Sequence, residues 1–418
     1  MTTAGTAVLK HPGIRAIWSA SAFTAVASWS VQIAVTVQVL SDRSVSVLAV
    51  VQLAGTLPML LLLPFAGVWA DRFDVRRISL AAMTVQAACS TALGLVIHGN
   101  PVTIAAVYAL QGALNAFWPP ARQQWLYGMV TDEMRVRANA AIGSVNGLMT
   151  LVGAGLGGAL SGWDPDVAVF TGAGFQALAA LRLVRTSRPE PVRHDETQRT
   201  AHRMLTDIAD GIRTVRWYPL AGSVVWIGIA WGLISGGYSV LLSGHVTGDL
   251  HGGSVVLGLV FAIDGLSVIA ATAFAGRVPR ARHLAVYGAS YVVQGLAWAL
   301  MFATSLFPLT VAALVVMRLA SGFIIALDNT ILLATVPPRL RGRVSSLHMT
   351  TYNAVDRASL GLLGVVLTAF TVQSVGQVAG LASAVFGLVW WRFSRTARQR
   401  YLAGDNTTDS TDKPKEMT

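Results

Sequence analysis

Charge is scarce in this chain. Of its 418 residues, 12% are Asp, Glu, Lys or Arg and 54% are hydrophobic, whereas an ordinary soluble protein carries roughly 25% charged residues. A soluble core of this length cannot hide so much apolar surface, so lipid has to cover it. Cysteine is almost absent. Cys89 stands alone, which excludes an intrachain disulfide and a cysteine metal site. His-Glu-x-x-His, Gly-x-Ser-x-Gly and Gly-Lys-Ser/Thr patterns are missing too, so no hydrolytic centre and no phosphate-binding loop is expected. The net charge of +11 could suggest nucleic acid. The basic residues, however, form short islands between apolar blocks, a pattern of membrane topology rather than of a basic binding face.

A helix needs roughly 20 apolar residues to cross the hydrocarbon core. Such blocks fall near 14–40, 45–70, 77–97, 101–127, 138–161 and 166–184, then near 219–243, 254–276, 283–303, 306–335, 345–370 and 374–391. The first is too long for a signal-peptide core and has no small-residue cleavage site behind it, so no cleavable signal is expected. The expected fold is an all-α membrane protein of twelve transmembrane helices in two pseudo-symmetric six-helix bundles. Residues 1–184 form the first bundle, 185–217 a linker, 218–392 the second bundle and 393–418 a tail.

Arginine and lysine set the orientation. Alternate loops hold Lys10 and Arg15; Arg72, Arg76 and Arg77; Arg135 and Arg137; Arg277, Arg280 and Arg282; and Arg339, Arg341 and Arg343. The opposite loops hold Arg43 as their one basic residue, with Asp42, Asp164, Asp166 and Asp249. Both termini are therefore expected on the cytoplasmic side of a plasma membrane. Met204, Ile208, Ile212 and Val215 recur at three- and four-residue spacing in the linker, as in an amphipathic helix on the membrane surface; the alternative is a solvated linker helix. The polar residues from Gly404 onward are expected to be disordered.

The halves echo each other after the fourth and tenth blocks. Val130, Met134, Arg135 and Arg137 are followed 206 residues later by Val336, Leu340, Arg341 and Arg343. Between the second and third blocks the chain reads Gly67-Val68-Trp69-Ala70-Asp71-Arg72-Phe73-Asp74-Val75-Arg76-Arg77. This resembles the signature of the major facilitator superfamily, with Asp74 where glycine is usual and Val75 where an arginine is usual. Gly153-Ala154-Gly155-Leu156-Gly157-Gly158 is similar to the glycine-rich motif of the antiporter branch, and Trp118-Pro119-Pro120-Ala121-Arg122 to the fourth span of the twelve-span drug-efflux branch. The resemblance implies two bundles that rock around a central cavity, with Asp71 placed against the start of the eleventh span. Gly67, Asp71, Arg72, Arg76 and Arg77 are then gating candidates, Gly67 by letting helices approach and the charges by latching one side shut. Alternatively these charges do no more than fix orientation.

Charges inside spans are expensive and face a cavity or a partner. Asp264 lies in the eighth span, Arg318 and Asp328 in the tenth, and Asp356 with Arg357 in the eleventh. These five are candidates for proton coupling or for a neutralising charge network. Three carboxylates against two arginines leave one carboxylate over, and Asp264, with no charged neighbour in sequence, is the first choice. Arg318-Leu319-Ala320-Ser321-Gly322 is similar to the family's fourth-span Arg-x-x-x-Gly motif, displaced here to the tenth span.

The family's cavity is lined by spans one, four, seven and ten. Trp29 and Gln32, with Thr36 and Gln38, and Trp226, Trp231 and Tyr238 are the cavity candidates. Aromatic rings with few polar groups suit a bulky apolar solute. His98, His245, His251 and His348 are scattered near loops, and no metal site is expected from them. The expected function is proton-coupled efflux of a hydrophobic or amphipathic small molecule (drug, antibiotic or siderophore-like metabolite). The alternatives are an importer of a small metabolite on the same fold, or a membrane sensor. No enzyme activity, no cofactor and no nucleic-acid partner are expected. The solute, protons and membrane lipid are the expected partners of a monomer.

Overall fold

A computed structural model describes residues 11–186 and 211–402. Every one of the twelve apolar blocks contains a helix. In chain order these are α1 Pro12–Asp42, α2 Val45–Arg72, α3 Val75–Val96, α4 Pro101–Asn115 and α5 Trp118–Tyr127. Next come α6 Asp132–Ser161, α7 Pro165–Val184, α8 Pro219–Ser235, α9 Tyr238–Gly244 and α10 Ser254–Ala275. The remainder are α11 His283–Ala303, α12 Phe307–Thr335, α13 Arg341–Val366, α14 Val372–Phe393 and α15 Arg395–Leu402. Among the described residues there is no strand. Met204 and Ile208 of the proposed surface helix lie outside the described residues, as does the chain from Ala403 onward; residues 211–217 are helical.

Local chemistry accounts for where the helices begin. Pro12, Pro101, Pro165 and Pro219 each open a helix, where a missing N–H costs nothing. Asn100 and Thr371 cap α4 and α14 through their side-chain oxygens. Asp74 explains its own departure from the family signature: its carboxylate accepts from the N–H groups of Arg76 at 2.9 Å and Arg77 at 3.4 Å, capping α3.

Among the described residues, ten helical segments are long and apolar enough to cross a membrane. The other two blocks fall short for physical reasons. The fourth is broken between Asn115 and Trp118. Pro119 and Pro120 follow, and lacking N–H groups they cannot continue the ladder back to Asn115 and Ala116. The eleventh, α13, contains Arg341, Arg343, Asp356 and Arg357 within its length. The seventh span is also interrupted, at Gly236 and Gly237, and then runs on through a π turn, His245–Asp249. Its end therefore lies beyond the 243 read from hydropathy. His245, expected near a loop, is fully buried, its Nδ1 2.7 Å from Asp249 Oδ2.

Packing groups the described chain into two units. The first joins α1–α7 with Ser239–Leu266 and Leu363–Ala369. Its core at one end is built from Ile14, Ile17, Met83, Trp118, Trp125 and Leu183. Polar pairs bridge its helices: Gln52 Nε2 donates to Thr36 Oγ1 at 3.3 Å and Gln176 Nε2 to Gln86 Oε1 at 2.9 Å. Such bonds between membrane helices are worth about 0.6 kcal/mol on average. The glycine-rich stretch of α6 meets two neighbours: Gly153 and Gly157 lie against Val26 and Ser30 of α1, and Gly158 against Gly258 of α10. The second unit joins α8, Ser267–Leu362 and the described chain from Phe370. Its core gathers Leu220, Val224, Tyr287, Tyr291, Ile331, Val344 and Leu347.

Candidate functional site

The signature loop is a hub of hydrogen bonds within the first unit. Asp71, at the end of α2, accepts from the side-chain amide of Gln124 on α5. Arg76 donates to the carbonyl of Val184 at the end of α7. Arg77 lies 3.8 Å from Asp74 and is largely exposed, as is Arg72. The loop thus ties the ends of α2, α3, α5 and α7. A Cβ on Gly67 would meet no described atom within 4 Å, whereas Gly153, Gly157 and Gly158 lie in close contact with neighbouring helices.

In the first unit Trp29 is half-buried against Phe261, with ring centroids 5.9 Å apart. Gln32 is half-buried one turn further, its carbonyl accepting from Thr36 Oγ1 at 2.8 Å. Gln38 is turned to Asp42, with Nε2 3.0 Å from Oδ2. Asp264 is buried on α10. Among the scattered histidines, one meets two carboxylates. His98 Nε2 lies 3.0 Å from Asp166 Oδ1 and 3.4 Å from Asp164 Oδ1, fastening the α3–α4 loop to the start of α7. All three residues are substantially exposed, and Asp164 already caps α7.

The second unit holds the densest polar chemistry, along the contact between α8 and α13. Gly228, Gly232 and Gly236 recur every four residues on α8 and at its end. On α13, His348, Tyr352 and Asp356 recur at the same interval and meet them in order. Gly228 faces the His348 ring, Gly232 the Tyr352 backbone and ring, and Gly236 the Asp356 carbonyl. Glycine at each position lets the helices approach without a Cβ between them. Asp356 is buried, with Ser235 Oγ donating to it at 3.1 Å and Arg357 Nη1 3.4 Å away. Neighbours on a helix diverge by 100°, yet the long arginine folds back to pair. The Ser359 hydroxyl donates to the Leu233 carbonyl, which the interruption at Gly236 would leave short of a helical partner.

On the same helices, eight residues further from the interruption, lies a constellation that residue counting missed. Asp328 on α12 accepts from Tyr287 of α11 at 2.6 Å, and its other oxygen is 2.5 Å from His348 Nε2. The tally of carboxylates against arginines omitted this histidine. Asp328 is thus matched by an imidazole and a phenol rather than by an arginine.

The aromatic candidates on the seventh span are held from behind. Trp231 lies edge-on to Trp298 at 5.7 Å and to Tyr291 at 6.1 Å, and Tyr238 lies edge-on to Trp298 at 5.1 Å. Arg318 places its guanidinium 5.2 Å from the Tyr238 ring. Trp226 differs from them: it is 70% exposed on the unit's surface.

Long apolar helices that carry buried ionisable groups within their spans are the mark of multi-pass membrane transport proteins. The sequence profile of the Major Facilitator Superfamily matches residues 17–355, and this chain belongs to that family. The chain is 25% identical over 365 residues to the multidrug efflux pump Tap of Mycolicibacterium fortuitum, covering 82% of this chain and 85% of the relative. It is 27% identical over 185 residues to the lysophospholipid transporter LplT of Photorhabdus laumondii, covering 44% and 45%. Among solved structures, a bacterial homolog of the human lysosomal transporter Spinster matches with a TM-score of 0.71 at 15% identity, covering 98% of this chain and 100% of that one. The nucleoside transporter NupG also matches at 0.71, with 14% identity, covering 90% and 98%. At these identities the structural matches speak for the fold alone.

Proposed function

We infer that this multi-pass membrane transporter exports hydrophobic or amphipathic small molecules, driven by inward proton flow. The observation that carries the reading is the aromatic wall of Trp231 and Tyr238, braced by Trp298, with the Arg318 guanidinium over the Tyr238 ring. Such a surface suits a bulky apolar ligand oriented by one polar contact. The efflux pump Tap, similar over most of both chains, supports the same direction of transport. The arginine asymmetry of the loops supports a plasma-membrane orientation with both termini in the cytoplasm. In that orientation Asp71, Arg72, Arg76 and Arg77 latch the cytoplasmic side, while Asp264, Asp328 and Asp356 supply the proton sites.

A second reading, uptake of a lysophospholipid-like amphiphile, draws on the partial similarity to LplT. Two measurements separate the readings. A strain lacking the protein is screened against a panel of drugs and metabolites, and purified protein is assayed for flux in liposomes under an imposed proton gradient. Export predicts sensitisation to apolar compounds and their proton-driven extrusion. Unchanged sensitivity to every compound, together with uptake of the labelled lysophospholipid, would overturn export.

A further inference from the structure

The sixth and twelfth spans end alike. Arg182, Arg185, Thr186 and Arg188 are followed 210 residues later by Arg392, Arg395, Thr396 and Arg398, the same spacing in both halves. Arg188 lies outside the described residues. Arg182 stands in the last turn of α7 and Arg392 in that of α14, while Arg185 and Arg395 follow just beyond the two helices.

Each pair opens onto a cavity. In the first unit a cavity of about 300 Å³ is lined by Arg15 of α1 together with Arg182, Arg185 and Thr186. In the second unit a cavity of about 420 Å³ is lined by Arg392, Arg395 and Arg398 with Trp391 and Gln399. No described carboxylate pairs with Arg15, Arg182, Arg185, Arg392 or Arg395. Further positive charge stands close by instead. Arg76 donates to the Val184 carbonyl at the end of α7. Beyond α14, burial and then the charge of Arg395 lower the pKa of Arg398.

Arginines that only fix topology need neither a shared cavity nor a repeated spacing. Guanidinium forks gathered without carboxylates fit an anion with several oxygens, above all a phosphate. The neighbouring side chains show where that phosphate comes from. Leu181 and Val184, 61% and 50% exposed, flank the first cluster in sequence, and Phe393, 80% exposed, stands within the second beside Trp391. Both clusters thus lie where the apolar spans Pro165–Val184 and Val372–Phe393 end, at the depth of lipid headgroups. A soluble phosphate would make no use of the apolar side chains.

We propose that the two arginine clusters are matching sites for the phosphate of an anionic phospholipid, one at the end of the sixth span and one at the end of the twelfth. The guanidinium groups hold the phosphodiester oxygens, and the acyl chains run along the exposed apolar residues. Basic pockets between spans recognise anionic headgroups in this way. The sites use no residue of the aromatic wall and none of the buried charges, so the proposal holds for either direction of transport.

The test is native mass spectrometry of the full-length protein in detergent, offered phosphatidylglycerol and phosphatidylcholine in equal amounts. Wild type is expected to retain phosphatidylglycerol in preference, one molecule at each cluster. Arg182→Gln/Arg185→Gln and Arg392→Gln/Arg395→Gln should each keep one molecule and bind the other about thirtyfold more weakly, because each arginine beside an anionic lipid supplies roughly a fivefold factor. Equal retention of the two lipids by wild type, or unchanged retention by either pair variant, overturns the proposal. Thermal melting checks that the variants fold. Should they fail to fold, wild type alone still decides. Raising the salt from about 0.1 M to about 1 M shortens the Debye length from about 10 Å to about 3 Å. Retained phosphatidylglycerol should then fall while phosphatidylcholine holds, and retention that ignores salt overturns the proposal. Inorganic phosphate is the final competitor: complete displacement of phosphatidylglycerol by an equal concentration of it would mark a site for free phosphate and overturn the lipid assignment.

Discussion

Gly236 rests against the main-chain carbonyl of Asp356 so closely that no Cβ could stand between them. The interruption of the seventh span and the buried charge of the eleventh are therefore one structural feature. Gly236→Ala should force α8 and α13 apart. Overpacking of this kind costs about 1–3 kcal/mol. The check is thermal unfolding in detergent, with Gly174→Ala as the control, because a Cβ there meets open space. Equal melting temperatures for the two variants would contradict the packing described.

Much of this was legible in the sequence. Lipid-covered surface leaves long apolar runs, so each of the twelve blocks does contain a helix. The four-residue glycine spacing of the seventh span was equally visible, but what those glycines accommodate was not. His348 and Asp328 lie twenty residues apart, on different helices either side of a turn. No local pattern connects them.

Asp74 departs from the family signature and gains a capping role. Asp74→Ala should cost about 1 kcal/mol of stability by uncapping α3. Asp74→Asn, which keeps an oxygen for the N–H groups of Arg76 and Arg77, should cost much less. Thermal melts of both variants check this, and equal losses would indicate that the charge rather than the cap matters.

Asp356 and Arg357 should behave as a coupled pair. Removing one partner of a buried ion pair leaves the other uncompensated and typically costs about 3–5 kcal/mol. Arg357 is 31% exposed, so its loss should fall well below that range and that of Asp356 nearer to it. In a double-mutant cycle with alanine, the double variant should be less damaged than the sum of the singles. Strict additivity would show that the 3.4 Å contact contributes nothing.

Beyond the spans, Arg398 clamps α15 to the end of α14. Its guanidinium lies 3.5 Å over the Trp391 ring and its Nη2 donates to the Trp391 carbonyl at 2.5 Å. Burial, and then the neighbouring charge of Arg395, lowers the pKa of this guanidinium. Arginine nevertheless stays protonated across neutral pH, so the clamp should be insensitive to pH there. Arg398→Ala should release α15, read as faster tryptic cleavage at Arg395 and Arg400. Wild-type cleavage rates in the variant would show that α15 is held by other contacts.

Asp71 offers the sharpest separation of latch from hydrogen-bond anchor. Its carboxylate accepts from the Gln124 amide, a bond that Asp71→Asn can retain through its remaining carbonyl oxygen. The substitution removes the charge while keeping the local contact between α2 and α5. If the charge serves gating, transport should fall and the balance of accessible states should shift, as read by cysteine labelling from either side of the membrane. Cys89 is buried, so labelling sites introduced in the loops should report with little background. If the carboxylate serves chiefly to anchor Gln124, Asp71→Asn should transport normally while Asp71→Ala loses stability. That second outcome would remove the latch and leave the signature loop as a structural tie among α2, α3, α5 and α7.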